Sequence, residues 1–167
     1  MTKFKGRAWI FEPNIDTDQI YPGKYLPLTD KREMGRVAMS GVEGREDFAE
    51  RVSPGDIVLA GPNFGCGSSR EHAVVALREA GVSVVIAPSF ARIFYRNAVN
   101  LGYPILESDA VEHVREGDEL EVDADTGVIR DLTTGKEYRC TTLTGLEREI
   151  SAAGGLIPYL KREMGRK

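Results

Sequence analysis

Apolar residues in this chain fall into short runs separated by glycine and proline, and the spacing of those runs predicts the elements. Lys5 to Phe11 reads as a strand. "DIVLA", entered through a Pro54-Gly55 turn, and "VVIA" are short apolar runs of the kind that buried strands carry. Between them "SSREHAVVALREAG" reads as a helix stopped by Gly81. Strand, glycine-rich loop, helix and strand make a βαβ unit whose two strands are parallel and buried. A second helix is expected from Ala91 to Leu101, ended by Gly102, with "YPIL" as a further short strand. Upstream, Asp30 with Glu33 forms a helix-start capping pair ahead of a stripe of Met34, Val37 and Ala38. The stretch holding Pro13, Pro22, Gly23 and Pro27 lacks periodicity and reads as loop.

The last third changes character. "DELEVDADTGVIRDLTTGKEYRC" shows short alternating strands parted by "DTG" and "TTG" turns, a β-meander pattern. "LEREISAAGGLIPYLKREM" closes with helix interrupted at Gly154-Gly155. The expected class is therefore α/β, a parallel central sheet decorated by a small antiparallel β-meander.

Composition narrows the function classes. A chain of 167 residues with 41% apolar and 29% charged residues is long enough for its own core and too apolar for disorder. The formal charge of −4, with no basic stripe, argues against nucleic acid. No apolar run approaches a membrane span, and "MTKFKGRAWIF" carries no secretory h-region. The two cysteines, Cys66 and Cys140, supply neither a disulfide framework nor the ligand set of a structural metal site or iron–sulfur cluster, so no metal ligand is assigned. Reduced thiols in the cytoplasm are the expectation.

The most informative stretch is Gly61 to His72, "GPNFGCGSSREH". Its glycines let the backbone turn tightly and let a ligand come close. Ser68, Ser69, Arg70 and Glu71 are read as opening the helix, Ser68 and Glu71 matching the capping box S-x-x-E. A helix N-terminus with an arginine beside it is a seat for a carboxylate or phosphate. A bare cap with a solvated arginine is the plainer reading. The position at the end of a parallel strand, where open α/β sheets bind ligands, favours the anion site. The spacing is neither a dinucleotide fingerprint nor a Walker A loop.

Three blocks, "NIDTDQIYPGKYL", "NFGCGSSREHA" and "VIAPSFARIFYRNAVNLGYP", lie in one order between about Trp9 and Leu106. They resemble the small-subunit family of 3-isopropylmalate dehydratase, the separate-chain version of the swivelling domain of aconitase-type hydro-lyases. The resemblance implies a swivelling β/β/α domain of aconitase type spanning 1–167, with a core and active-site loops over 1–106 and antiparallel strands and helices over 107–167. It implies isomerisation of 2- and 3-isopropylmalate in leucine biosynthesis, by dehydration and rehydration. It also implies a large-subunit partner that carries a [4Fe–4S] cluster, none being bound by this chain. The substrate is then a small hydroxy-dicarboxylic acid.

By the same resemblance Ser68 falls on the catalytic base, Arg70 on a substrate-carboxylate clamp and Ser69 on a substrate hydrogen-bonding position. Asp16, Thr17 and Asp18 lie near the site, in a supporting role or simply holding their loop. Pro27 and Leu28 fall where the variable substituent is read. Their apolar character suits an isopropyl group rather than the extra carboxylate of a homoaconitase substrate, although Pro27 stiffening a turn and Leu28 packing on the core is a competing role. A homoaconitase or methylated-malate dehydratase subunit, and a carboxylate-binding module without chemistry, are the rival readings. Arg92 and Arg96 sit on a helix whose packing face is Ile93, Phe94, Ala98 and Leu101. They line an interface, support the serine loop, or are solvated charges.

Overall fold

The computed structural model describes residues 3–68 and 70–165. Its elements in chain order are β1 (Lys3–Phe11), α1 (Thr17–Ile20), α2 (Lys31–Gly35), α3 (Phe48–Arg51), β2 (Ile57–Ala60), α4 (Glu71–Ala80), β3 (Val84–Ala87), α5 (Arg92–Asn100) and β4 (Ile105–Glu107). The meander follows as β5 (Glu119–Asp123), β6 (Val128–Asp131) and β7 (Lys136–Arg139), and α6 (Gly145–Ala153) and α7 (Leu156–Met164) close the chain.

The strands form one seven-stranded sheet in the order β4-β3-β2-β1-β5-β6-β7. β1 to β4 run parallel, and β5 to β7 are antiparallel to their neighbours. The antiparallel meander expected beside the parallel centre is present, and it continues the central sheet. The cause is the length of β1. It has nine residues against four in β2. Ala8 to Phe11 pair with β2, and Lys3 to Arg7 extend past it and pair with β5. Left alone, that half of β1 would expose a row of unpaired backbone groups.

Side chains alternate across the sheet and divide the core. Trp9, Phe11, Val58, Ala60, Val85 and Ala87 face one way, into a cluster with Tyr21, Met34, Phe48, the inner side of α4 and Phe94 of α5. Ala8, Ile57, Leu59, Val84 and Ile86 face the other way and are covered by Ala110, Val114 and the inward residues Leu120, Val122 and Ile129 of the meander. Each connection from β1 through β4 steps to the next strand in the same direction. Right-handed crossovers then lay all of their helices on one face.

One expected boundary and one packing face differ. α4 starts at Glu71, with Arg70 as its N-cap and no side chain capping it, so Ser68 does not form the capping box with Glu71. Arg70 is extended (φ −131°, ψ 104°), and its side chain is drawn back to the upstream loop. Ile93, expected on the packing face of α5, is 47% exposed, and that face is Phe94 and Ala98. The helix ends follow the sequence closely: Gly81 and Gly154 both terminate helices in the left-handed conformation.

Candidate active site

Three loops leave the C-terminal ends of β1, β2 and β3, and their backbones are fastened to one another. Asn14 N–H donates to Pro62 O at 2.9 Å, Gly65 N–H to Ile15 O at 2.7 Å and Thr17 N–H to Cys66 O at 2.8 Å. Asp16 and Cys66 form an isolated parallel bridge, and Phe64 and Phe90 form another. Phe64 N–H donates to Ser89 O, and Ala91 N–H donates to Phe64 O. The serine loop is thus a short ladder rung between the loops on either side.

Glycine is required where this ladder closes. A Cβ on Gly61 would stand 2.6 Å from Pro13 Cγ. One on Gly65 would stand 2.3 Å from Phe94 Cγ, and Gly65 also has φ +84°. Beneath the loop, Phe64 meets Phe94 edge-on at 5.2 Å and Phe90 at 6.1 Å, forming an aromatic floor. Asn14 and Asn63, both in left-handed conformation (φ 59° and 62°), join across the two loops through Asn63 Nδ2 and Asn14 Oδ1 at 3.0 Å. The sequence reading missed this pair. The available signal was asparagine's tolerance of positive φ, in two segments already marked as turns.

The upstream loop supplies the side chains that hold the serine loop. Asp16 caps α1, accepting from Gln19 N–H at 2.7 Å, while Gln19 reaches back to Asp16 N–H at 2.9 Å. Thr17, buried, donates from Oγ1 to Ser68 O at 2.9 Å. Asp18 accepts from Arg70 Nη1 at 2.8 Å and from Gly23 N–H at 2.9 Å. Arg70 Nη1 also donates to Tyr21 O at 3.2 Å. Asp16 thus bonds within its own turn, whereas Thr17 and Asp18 reach across to the serine loop.

The remaining N–H groups of Arg70 point elsewhere, with no partner among the described residues, so its fork retains the means to grip a carboxylate. Ser68 is exposed, and its Oγ likewise has no partner among the described residues. The loop brings Ser68, Arg70, Thr17 and Asp18 together. Ser69 lies outside the described residues. Pro27 is exposed, and Leu28 is half-buried against the helix-side core. They join this group only indirectly, through the Tyr21 hydroxyl that donates to Tyr25 O.

The electrostatics follow from the pairings. The Arg70 guanidinium, and after it the Gly23 N–H, hold the Asp18 carboxyl below the ordinary carboxylate range. Asp18 is 68% exposed and Arg70 only 19%, so the pair positions the arginine more than it stabilises the fold. His72 stacks on Tyr21 with ring centres 5.3 Å apart and is a packing residue of the first turn of α4. Cys66 lies in the serine loop, whereas Cys140 follows β7, where burial pushes its thiol up to about 11. Among the described residues no three His, Cys, Asp or Glu side chains gather as metal ligands. Two cysteines in different parts of the fold do not fit an iron–sulfur cluster. Among the described residues no helix is long and apolar enough to cross a membrane.

Residues 10–109 match the model of the aconitase C-terminal domain. The small subunit of isopropylmalate/citramalate isomerase from Methanocaldococcus jannaschii is 53% identical over 96% of this chain and 95% of its own. The small subunit of 3-isopropylmalate dehydratase from Aquifex aeolicus is 51% identical over 99% of this chain and 98% of its own. The crystal structure of a 3-isopropylmalate dehydratase from Methanocaldococcus jannaschii superposes with a TM-score of 0.93 at 46% identity, covering 99% of this chain and 97% of that one.

Proposed function

The chain belongs to the aconitase C-terminal domain family, and from that premise we propose that it works as the small subunit of 3-isopropylmalate dehydratase. The reaction is isomerisation of 2- and 3-isopropylmalate in leucine biosynthesis, by loss of water and its return across an unsaturated intermediate. One observation carries the reading. A serine and an arginine stand on a loop clasped at the ends of parallel strands, in a chain that matches named small subunits along nearly its whole length.

In this reading Ser68 Oγ takes the proton from the carbon next to the hydroxyl-bearing one and returns it in the hydration step. A neutral serine is a weak base, so the alkoxide needs donors and positive charge around it. The uncapped first turn of α4 offers N–H groups, and Arg70 offers charge. Arg70, oriented by Asp18 and Tyr21 O, uses its free N–H groups on a substrate carboxylate. Ser69 hydrogen-bonds substrate. Asp16 and Thr17 keep Ser68 in register through the α1 cap and the Thr17 hydroxyl.

The [4Fe–4S] cluster that the family resemblance implies would be held by the large subunit and would act there as Lewis acid on the substrate hydroxyl, in keeping with the two cysteines of this chain. We read 1–167 as one swivelling domain that closes over the partner's site, acting in the cytoplasm. Pro27 and Leu28 read the substituent. The name of the 53% identical relative favours a second substrate as well: citramalate, in which a methyl group replaces isopropyl.

The test is reconstitution with the cognate large subunit and anaerobic cluster assembly, followed by kcat/KM on 3-isopropylmalate, citramalate and homoaconitate. Turnover of the first is expected. Ser68→Ala should lower kcat by about 10²–10⁴-fold or more while the complex still forms. Ser68 does not cap α4, so its loss should hardly change stability. Turnover retained in Ser68→Ala would remove the serine from the mechanism.

A further inference from the structure

Tyr21 ends α1 and is fully buried. It touches both halves of the candidate site. On one side its carbonyl accepts from Arg70 Nη1 at 3.2 Å, the same nitrogen that Asp18 holds. On the other its hydroxyl donates to Tyr25 O. The ring between them stacks on His72 in the first turn of α4, with centres 5.3 Å apart, and meets the Tyr25 ring edge-on at 6.3 Å. Burial raises the phenol, so it keeps its proton and remains a donor.

Tyr25 O is an anchor for the residues that follow. It also accepts from Leu28 N–H at 3.0 Å, and the two lone pairs of a carbonyl accommodate both bonds. The chain leading to it is one 3₁₀ turn, Gly23–Tyr25, whose start Asp18 holds through Gly23 N–H at 2.9 Å. Arg70 lies against that start: a Cβ on Gly23 would stand 3.4 Å from Arg70 Nη2. The turn is therefore fastened to the arginine clamp at its beginning and to Tyr21 at its end. Among the described residues no other side chain hydrogen-bonds to the backbone of residues 24–28. Leu28 is half-buried against the helix-side core, which leaves part of its side chain open.

We propose that Tyr21 is a positioning residue for substrate choice, its hydroxyl fixing the Tyr25–Leu28 turn at one reach from the Arg70 guanidinium. The inference rests on the small-subunit reading, with Leu28 against the substituent, and adds the residue that sets the distance between the two contacts. Two contacts measure a substrate only when their separation is fixed. A turn free to shift would follow a methyl group as readily as an isopropyl group, and the difference in apolar contact would be lost. In this scheme Tyr21 meets no substrate, and its effect passes through Leu28.

The experiment uses the complex reconstituted with the large subunit, with 3-isopropylmalate as substrate and citramalate as competing ligand. Compared are the wild type, Tyr21→Phe, Leu28→Ala and the double variant. Tyr21→Phe keeps the ring on His72 and the carbonyl on Arg70 and removes only the hydroxyl. KM for 3-isopropylmalate should rise about fivefold at unchanged kcat, as loss of binding shared by ground and transition states requires. The inhibition constant of citramalate should change less than about twofold, because its methyl group gives Leu28 little to touch. In the Leu28→Ala background the loss of the hydroxyl should leave KM unaltered. A purely structural tyrosine would lower the denaturant midpoint and scale both constants alike, which overturns the inference. So does a rise in KM that persists in full without the Leu28 side chain. Wild-type complex that turns over no 3-isopropylmalate would instead remove the small-subunit reading, and this inference with it.

Discussion

Asp18 and the Tyr21 carbonyl hold one terminal nitrogen of the Arg70 guanidinium, and on the proposed function its other donors grip a substrate carboxylate. The Asp18 carboxylate fixes that nitrogen at 2.8 Å, and the rest of the fork has no partner among the described residues. Arg70→Lys keeps a charge but loses the planar pair of donors. We expect kcat/KM to fall about 10²-fold for every malate-type substrate, the order that misplacement of a positioning group costs. A loss restricted to one substrate would show that Arg70 reads the substituent, and not the shared core. The pH dependence has a definite sign. Asp18 is held below its ordinary value, first by Arg70 and then by Gly23 N–H. The contribution of the clasp is therefore complete above the unfolded carboxylate value, about 3.9, and is lost as pH falls through the lower folded value. NMR titration of the Asp18 carboxyl carbon should place its midpoint below the ordinary carboxylate value, and Arg70→Gln should move it back up toward that value.

At the scale of elements, the serine loop is shaped by its neighbours more than by the helix it precedes. Its conformation depends on the rungs to Ile15, Thr17 and Ser89 and on the aromatic floor from α5. Gly65 is where these constraints meet. Gly65→Ala forces a left-handed alanine and an overlap with the Phe94 ring. Strain and overpacking together should cost about 2–4 kcal/mol, read as a lower denaturant midpoint at unchanged m, with turnover falling further than stability alone accounts for. Gly44 also has positive φ, but a Cβ there meets nothing within 4 Å. Gly44→Ala carries only the backbone term and should leave turnover unaltered, which separates the two effects.

For the molecule as a whole, the division of labour between subunits on the proposed function is a matter of ligand inventory. Two cysteines, one in the serine loop and one beyond β7, cannot supply three thiolates to one cluster. Purified chain taken through anaerobic reconstitution with iron and sulfide should retain no stoichiometric iron and show no turnover alone. Cluster iron or turnover in the isolated chain would contradict the subunit scheme. The continuous sheet bears on this scale too. Because β1 is shared by the parallel and antiparallel halves, the meander is tied through one strand to the loops of the site. The outer edge, β7, is protected by the charged, exposed residues Lys136, Glu137 and Arg139.

Much of this was legible in the chain itself. The strands "IVLA" and "VVIA", the helix between them and the stops at Gly81 and Gly154 were readable because apolar runs and glycine act through local sterics and burial. The blocks around Ser68 and Arg70 carried the family resemblance, which the aconitase C-terminal domain match bears out. The four-residue helices α1 and α3 were not readable, being too short for a period to show. Nor was the true start of α4. Locally, Ser68 with Glu71 is a good cap, and it is overridden because Thr17 holds Ser68 O and Asp18 holds the arginine. The same holds for Leu28, whose apolar character fits substrate or core equally, and which the fold sets half-buried against the helix-side core. Those outcomes depend on contacts between residues about fifty positions apart. The chain acquires such contacts only when β1 and β2 lie side by side and bring their loops to one edge.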